Sequence, residues 1–153
     1  MSQNASDFHK ELLNKFSYQP TTKQSKLFSL LVDFLFSKNE KSLFLLKGYA
    51  GTGKTTTIST LVSSLWKINQ KSVLLAPTGR AAKVISVYSK KQAFTIHKKI
   101  YFPTKMPHGS VDFVLQNNKH INTIFIVDEA SMIPDRPQNG KLFENGSLLD
   151  DLI

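Results

Sequence analysis

The sequence predicts an α/β fold in which helices flank a parallel sheet. Short apolar strands alternate with amphipathic helices along much of the chain, a pattern typical of parallel sheets. A glycine-rich loop stands between one of these strands and the helix that follows it. Parallel α/β sheets bind their ligands at the carboxyl ends of the strands, where such a loop lies. These observations place a ligand site at that edge of the sheet.

Local patterns predict the individual elements. Apolar residues recur at helical spacing over residues 7–16, and a second amphipathic helix is expected from about Thr22. Residues 42–47 form an apolar run bounded by a polar segment and a glycine, which predicts a buried strand. The later expected elements are a helix from Lys54 to about Ile68, a strand over 72–76, a helix from Gly79 to about Tyr88 and a strand over Thr123–Val127.

The segments between these elements contain turn-forming residues. Residues 105–120 predict a surface excursion, because proline, glycine and an Asn-Asn pair interrupt them. Residues 134–146 predict a long loop. Ser147 resembles a helix N-cap, with Asp150 three residues later.

The expected domain organisation follows from these elements. Residues 1–20 are expected to form an N-terminal helix and linker, and residues 21–153 one domain. The sequence reaches Ile153 about one turn after the last cap. We therefore expect the last helix to be truncated and the sheet to be incomplete at the C-terminus.

Composition limits the class of protein. The 153 residues fit one domain, and no apolar run approaches the roughly 20 residues of a membrane span. Cysteine is absent, which excludes disulfides, and no secretory signal is visible, so a cytoplasmic location is expected. The net charge of +9 indicates a polyanionic partner such as nucleic acid. A lysine-rich solvated surface explains the same charge, since only two basic residues are arginine.

Residues 48–55 read Gly-Tyr-Ala-Gly-Thr-Gly-Lys-Thr and match the phosphate-loop pattern G-x-x-x-x-G-K-[ST], the Walker A motif. The glycines let backbone N–H groups surround phosphates, and the following helix adds the positive end of its dipole. Lys54 is expected to bridge the β- and γ-phosphates of ATP, and Thr55 to ligate Mg²⁺. The expected ATP contacts in this segment are Gly48, Ala50, Gly51, Thr52, Gly53, Lys54, Thr55 and Thr56.

The apolar strand 123–127 ends in two acids, a pattern typical of the Walker B motif. Asp128 is expected to hold Mg²⁺, and Glu129 to orient or deprotonate the attacking water. Lys54, Asp128 and Glu129 are therefore the candidate catalytic residues of an ATP hydrolase.

Gln24 allows two interpretations. Thr21 and Gln24 have the spacing of a capping box, in which the glutamine satisfies a backbone donor. A side-chain amide can also recognise adenine, because it both donates and accepts hydrogen bonds.

Five segments together resemble the first motor domain, a RecA-like fold, of superfamily 1B DNA helicases of the RecD and Dda kind. They are Thr22-Lys-Gln24, residues 48–55, Ala76-Pro-Thr-Gly-Arg-Ala-Ala-Lys83, Thr95-Ile-His97 and Asp128-Glu-Ala-Ser-Met132. The resemblance covers most of the chain, from about Tyr18 to Met132, and implies an ATP-driven enzyme acting on single-stranded DNA.

The resemblance also assigns residues and a partner domain. It implies that Gln24 contacts adenine and that Thr78, Arg80, Lys83 and Thr95 contact single-stranded DNA. For Lys98 and Lys99 a solvated helix face is an equal alternative, and His97 is expected to be structural. Members of that family continue into a second motor domain that supplies an arginine to the ATP site, so a missing second motor domain is an expected partner. Two other functions stay open, a stand-alone P-loop ATPase and a module that binds nucleotide and DNA without turnover.

Overall fold

The computed structural model describes residues 3–37, 42–105, 109, 111–134 and 147–153. The chain divides into two compact units. One consists of Met1–Lys71 and Tyr88–Lys90, and the other of Ser72–Val87 and Lys91–Ile153.

The first unit is built from helices whose apolar faces form its core. Its elements are α1 (Gln3–Lys15), α2 (Thr22–Leu35), α3 (Lys54–Ser64) and a 3₁₀ turn (Leu65–Ile68). Helix α1 packs against both α2 and α3. Leu12, Phe28 and Leu65 are buried, and the ring of Phe16 meets that of Phe28 edge-on at 5.3 Å. The apolar spacing predicted for α1 is confirmed by the burial of Phe8, Leu12 and Phe16, whereas α2 buries Phe28, Leu31 and Val32 and leaves Leu30 exposed.

The predicted strand over residues 42–47 is wrong for this structure. The segment carries no strand assignment, and Leu43 and Leu45 are 77% and 63% exposed. An apolar run supplies hydrophobic side chains, but a strand also requires a neighbouring strand to bind its N–H and C=O groups. The sequence pattern contains no information on that partner.

The second unit contains all the strands assigned among the described residues. Its elements are β1 (Lys71–Ala76), α4 (Gly79–Ser89), β2 (Ala93–Thr95), α5 (Ile96–Ile100), β3 (Tyr101–Lys105), β4 (Val111–Leu115), β5 (Thr123–Val127), a 3₁₀ turn (Ala130–Met132) and α6 (Leu148–Leu152). The main sheet has the order β2-β1-β5, and β1 pairs with β2 in parallel. Leu75, Ile96, Tyr101 and Leu148 form its buried core. The predicted α/β fold with a parallel sheet flanked by helices is confirmed, and it is consistent with a RecA-like P-loop fold.

The predicted surface excursion over residues 105–120 contains structure that was not expected. Strands β3 and β4 pair antiparallel, from Tyr101 opposite Leu115 to Lys105 opposite Val111. The hairpin is tied to the core at its base, where Gln116 donates through its backbone to Ile100 and through its side chain to Tyr101. Pro103 is accommodated because β3 pairs along one side only, so the missing N–H does not interrupt a central ladder.

Near the C-terminus, the predicted cap is present. The Ser147 hydroxyl accepts from the N–H of Asp150 at 3.2 Å, and α6 follows. The loop predicted over 134–146 lies outside the described residues after Pro134. In the described part of the chain, no helix is long and apolar enough to cross a membrane.

Candidate functional site

The phosphate loop has the backbone that its glycines predict. Gly51 and Gly53 adopt left-handed conformations, with φ of 76° and 85°. Only glycine takes up these angles without strain. Gly53 is the N-cap of α3, so the loop leads directly into the helix N-terminus. A Cβ on Gly48 would lie 2.8 Å from Oγ1 of Thr52, which shows how tightly the loop closes on itself.

Lys54 binds its own loop. Its Nζ donates to the carbonyl oxygens of Gly48 at 2.7 Å and Tyr49 at 2.9 Å. The hydroxyl of Thr52 also donates to Tyr49, at 2.8 Å. These contacts direct loop carbonyls toward the lysine and hydroxyl donors. The N–H and C=O of one peptide point in opposite directions. The N–H groups that share a peptide with these carbonyls therefore point away from the lysine and hydroxyl donors.

Gln24 contacts both the start of α2 and the phosphate loop. Thr21 and Gln24 form the complete capping box that the sequence suggested. The Gln24 amide also donates from Nε2 to the carbonyl oxygen of Thr52 at 3.2 Å. Gln24 is thus brought to the phosphate loop, although the two residues are 28 positions apart.

The acid pair lies in the second unit, at the end of β5. Its strand bounds were predicted correctly. The N–H of Asp128 donates to Leu75 of β1 at 3.0 Å, and Asp128 accepts from the N–H of Glu129 through Oδ1 at 3.0 Å. Asp128 is half-buried and Glu129 exposed. Glu129 is left-handed, with φ of 55°, a conformation that is strained for a non-glycine residue. Such outliers cluster at functional positions.

The same unit contains a groove of about 340 Å³ between α4 and the β2–α5 segment. Two of the predicted DNA contacts, Lys83 and Thr95, line it together. Lys98 lies there as well, although the sequence left its role open. The full lining is Gly79, Ala82, Lys83, Ser86, Val87, Gln92, Ala93, Phe94, Thr95 and Lys98.

The other two predicted DNA contacts do not line this groove. Thr78 uses its hydroxyl to accept from the N–H of Ala81 at 3.2 Å, which caps the start of α4. Arg80 is exposed in the first turn of that helix. Thr95 is also a cap, since its hydroxyl accepts from the N–H of Lys98 at 3.2 Å. His97 lies in the predicted short helix with its side chain exposed and its ring 5.9 Å from that of Tyr101, and its structural role stays a prediction.

Comparison with known families identifies the fold family. The profile of the AAA domain matches residues 34–147, well over half of the chain. The chain belongs to the AAA domain family. The matched region of this AAA domain includes the phosphate loop, the groove and the acid pair.

Two curated proteins are similar to this AAA domain. An uncharacterized protein of Acanthamoeba polyphaga mimivirus is 28% identical over 134 residues, covering 73% of the chain and 27% of the relative. The ATP-dependent RecD2 DNA helicase of Deinococcus radiodurans is 31% identical over 94 residues, covering 61% of the chain and 12% of the relative. The region matched by this chain therefore covers less than a third of either protein. No solved structure gives a significant match.

Sequence reasoning missed two polar groove residues, Ser86 and Gln92, which carry no motif, and left the role of Lys98 open because its run also suits a solvated face. These side chains come together because α4 and the β2–α5 segment line the same groove. The pairing of β1 with β2 contributes to this arrangement, since it places Thr95 opposite Ala76, three residues before Gly79.

Proposed function

We propose that this chain is the ATP-binding and ATP-hydrolysing motor domain of a superfamily 1B DNA helicase that acts on single-stranded DNA. The observation that carries the proposal is the phosphate loop, with left-handed Gly51 and Gly53 leading into α3. Alternating conformations of this kind turn successive N–H groups toward an anion, and the helix N-terminus adds to the positive potential. Membership of the AAA domain family supports nucleotide binding.

The residues present suit ATP and magnesium. The loop is closely packed, since an added Cβ at Gly48 would lie 2.8 Å from Oγ1 of Thr52 and one at Gly53 would lie 2.9 Å from Nε2 of Gln24. Mg²⁺ prefers oxygen ligands and takes few from protein when phosphates supply others. The Thr55 hydroxyl and the Asp128 carboxylate are ligands of this type. Among the described residues no group of three or more His, Cys, Asp or Glu side chains that could hold a metal ion occurs.

The residues divide into roles. Lys54 is proposed to neutralise phosphate charge, and its bonds to two carbonyl oxygens show that its ammonium reaches the loop backbone. Glu129 is exposed, so its carboxylate is accessible to a water that it would orient and deprotonate. Asp128 donates its backbone N–H to the neighbouring strand, and its carboxylate, whose Oδ1 accepts from the N–H of Glu129, is the proposed metal ligand.

The groove supports the DNA part of the proposal. Lys83 and Lys98 line one cavity together with the capped N-terminus of α5. This combination of positive groups suits the phosphates of single-stranded DNA. Thr78 and Arg80 extend this surface at the start of α4. The RecD2 relative is described as a DNA helicase, which favours DNA as the polyanion that the net charge of +9 attracts.

The proposal includes features of the whole protein. The chain spans only 27% and 12% of the two relatives, so a second motor domain in the full-length protein is proposed as the partner that completes the ATP site. The motor domain is proposed to comprise residues 21–153, preceded by an N-terminal helix and linker, in a cytoplasmic protein. The stand-alone ATPase and the non-hydrolysing module are the alternatives.

One set of assays separates these functions. MgATP binding is measured by calorimetry, and ATP turnover is measured with and without single-stranded DNA. Binding with DNA-stimulated turnover supports the motor domain, turnover indifferent to DNA supports the stand-alone ATPase, and binding of both without turnover supports the module. Failure to bind MgATP would refute all three.

A further inference from the structure

An exposed aromatic side chain follows the end of α3. Trp66 is 64% exposed, although Leu65 directly before it is buried. The N–H of Asn69 donates to the carbonyl oxygen of Trp66 at 3.1 Å. The N–H of Gln70 donates to that of Leu65, also at 3.1 Å. The 3₁₀ turn therefore holds the indole outward from a fixed backbone, so a partner that binds it orders little of the chain.

The end of α4 brings further exposed side chains to the same unit. At the start of β1, the Ser72 hydroxyl accepts from Nζ of Lys91 at 2.6 Å, which places the residues that follow α4 beside the first residues of β1. Tyr88–Lys90 accordingly belongs to the same compact unit as Met1–Lys71. The exposed side chains of these two segments, which we call the Trp66 patch, are Trp66, Lys67, Lys71, Tyr88 and Lys90.

The Trp66 patch is cationic, and the sequence around it contains no acid. No aspartate or glutamate occurs between Glu40 and Asp112, whereas three of the five patch residues are lysines. Nζ of Lys67 lies 4.8 Å from the centroid of the Trp66 ring, which is a cation–π distance. The patch thus combines an aromatic anchor with positive charge beside it. Its chemical complement is an apolar side chain flanked by carboxylates.

We propose that the Trp66 patch binds an acidic peptide segment of a partner protein. An apolar side chain of that segment packs against Trp66 and Tyr88, and its carboxylates pair with the lysines. Tryptophan and tyrosine are enriched among the residues that dominate the affinity of protein interfaces. None of the patch residues belongs to the phosphate loop or to the groove proposed for single-stranded DNA.

Nucleic acid is the other polyanion of matching charge. It binds aromatic side chains by stacking its bases on open ring faces. The ammonium of Lys67 stands over one face of Trp66, where it obstructs a stacked base but leaves the ring edge and the positive charge for an acidic peptide. The peptide is therefore the better fit.

The test selects peptides from a display library of random dodecapeptides against the full chain. The selected peptides are synthesised with a fluorescent label, and anisotropy gives their dissociation constants for wild type, Trp66→Ala, Lys67→Glu and Lys26→Glu. Lys26→Glu is the matched control, because it reverses the charge of an exposed lysine on α2 in the same unit. Since Trp66 is the single tryptophan, its emission reports binding of unlabelled peptide to wild type. Labelled oligothymidylate is measured in parallel, and circular dichroism checks that each variant is folded.

We expect the selected peptides to carry aspartate or glutamate around an apolar residue, to shift the emission of Trp66 and to bind more weakly as salt rises. Trp66→Ala should weaken their binding about 30-fold or more, the loss typical of a dominant interface residue. Lys67→Glu should weaken it by about tenfold or more, because like charges then face each other, and Lys26→Glu by less than about twofold.

Three results would overturn the inference. The first is a selection that enriches no peptide or only peptides without acidic residues. The second is equal affinity of the selected peptides for wild type and folded Trp66→Ala. The third is an affinity for oligothymidylate that falls in Trp66→Ala, which would assign the Trp66 patch to nucleic acid.

Discussion

Alanine substitutions at three glycines separate backbone strain from side-chain contact in the phosphate loop. Gly51 and Gly53 have positive φ, at 76° and 85°. Forcing an L-residue into this region costs about 1–2 kcal/mol. At Gly51 nothing lies within 4 Å of the added Cβ, so backbone strain is the whole expected loss.

At Gly53 a second loss is added. The new Cβ would lie 2.9 Å from Nε2 of Gln24, which must move and give up its bond to Thr52. A net hydrogen bond contributes about 0.5–1.5 kcal/mol, so Gly53→Ala should lower the free energy of unfolding by about 1.5–3.5 kcal/mol. Gly79→Ala is the control, since its Cβ enters open space without positive φ. There we expect no loss, or a gain of up to about 1 kcal/mol.

Urea denaturation measures these differences. The single tryptophan, Trp66, lies in the 3₁₀ turn directly after α3 and reports on the unit that contains the loop. The expected order of stability is Gly79→Ala at or above wild type, then Gly51→Ala, then Gly53→Ala. Equal losses at Gly51 and Gly53 would refute the contact with Gln24. Wild-type stability in both loop variants would refute the left-handed loop itself.

Four further substitutions and one control test the proposed chemistry. Lys54→Ala should weaken binding of a non-hydrolysable MgATP analogue by about 1.5–3 kcal/mol, because a charge-assisted contact is lost. Calorimetry measures this affinity, and an unchanged value would exclude the phosphate-loop assignment. Glu129→Gln should keep ATP binding and lose turnover, since an amide accepts no proton from water, whereas undiminished turnover would remove Glu129 from that role. Lys83→Ala and Lys98→Ala should each make the negative slope of log affinity for single-stranded DNA against log salt shallower by about 0.7. Lys67→Ala changes an exposed lysine in the other unit and should leave this slope unchanged.

The sequence predicted those features that depend on local patterns. The start of α3 at Lys54 and the bounds of β5 were found correctly, because a glycine-rich loop and a pair of acids mark them. The capping box at Gln24 was also recognised from its spacing. Its bond to Thr52 was not, since it depends on how α2 packs near a loop 28 residues away.

Features that depend on pairing were missed. The apolar segment 42–47 lacks a strand assignment, while residues 101–105 and 111–115 pair as antiparallel strands. Apolar character had predicted a strand in the first case, and turn-forming residues had predicted a surface excursion in the second. The hairpin is anchored at its base, where Tyr101 is buried, whereas the rest of β3 is exposed, including Phe102 at 60%. The superfamily and the DNA contacts stay predictions that the assays above address.

Within the second unit, the acid pair and the groove are both connected to the carboxyl end of β1. Ala76, its last residue, is the register partner of Thr95, which caps α5 and lines the groove. One residue earlier, Leu75 accepts the N–H of Asp128. Leu75 and Ala76 are both fully buried, so close packing prevents this strand end from moving independently of its neighbours. A DNA-stimulated ATPase needs coupling between its DNA contacts and its hydrolytic acids, and two adjacent residues of one buried strand connect the proposed DNA contact Thr95 with the proposed acid Asp128.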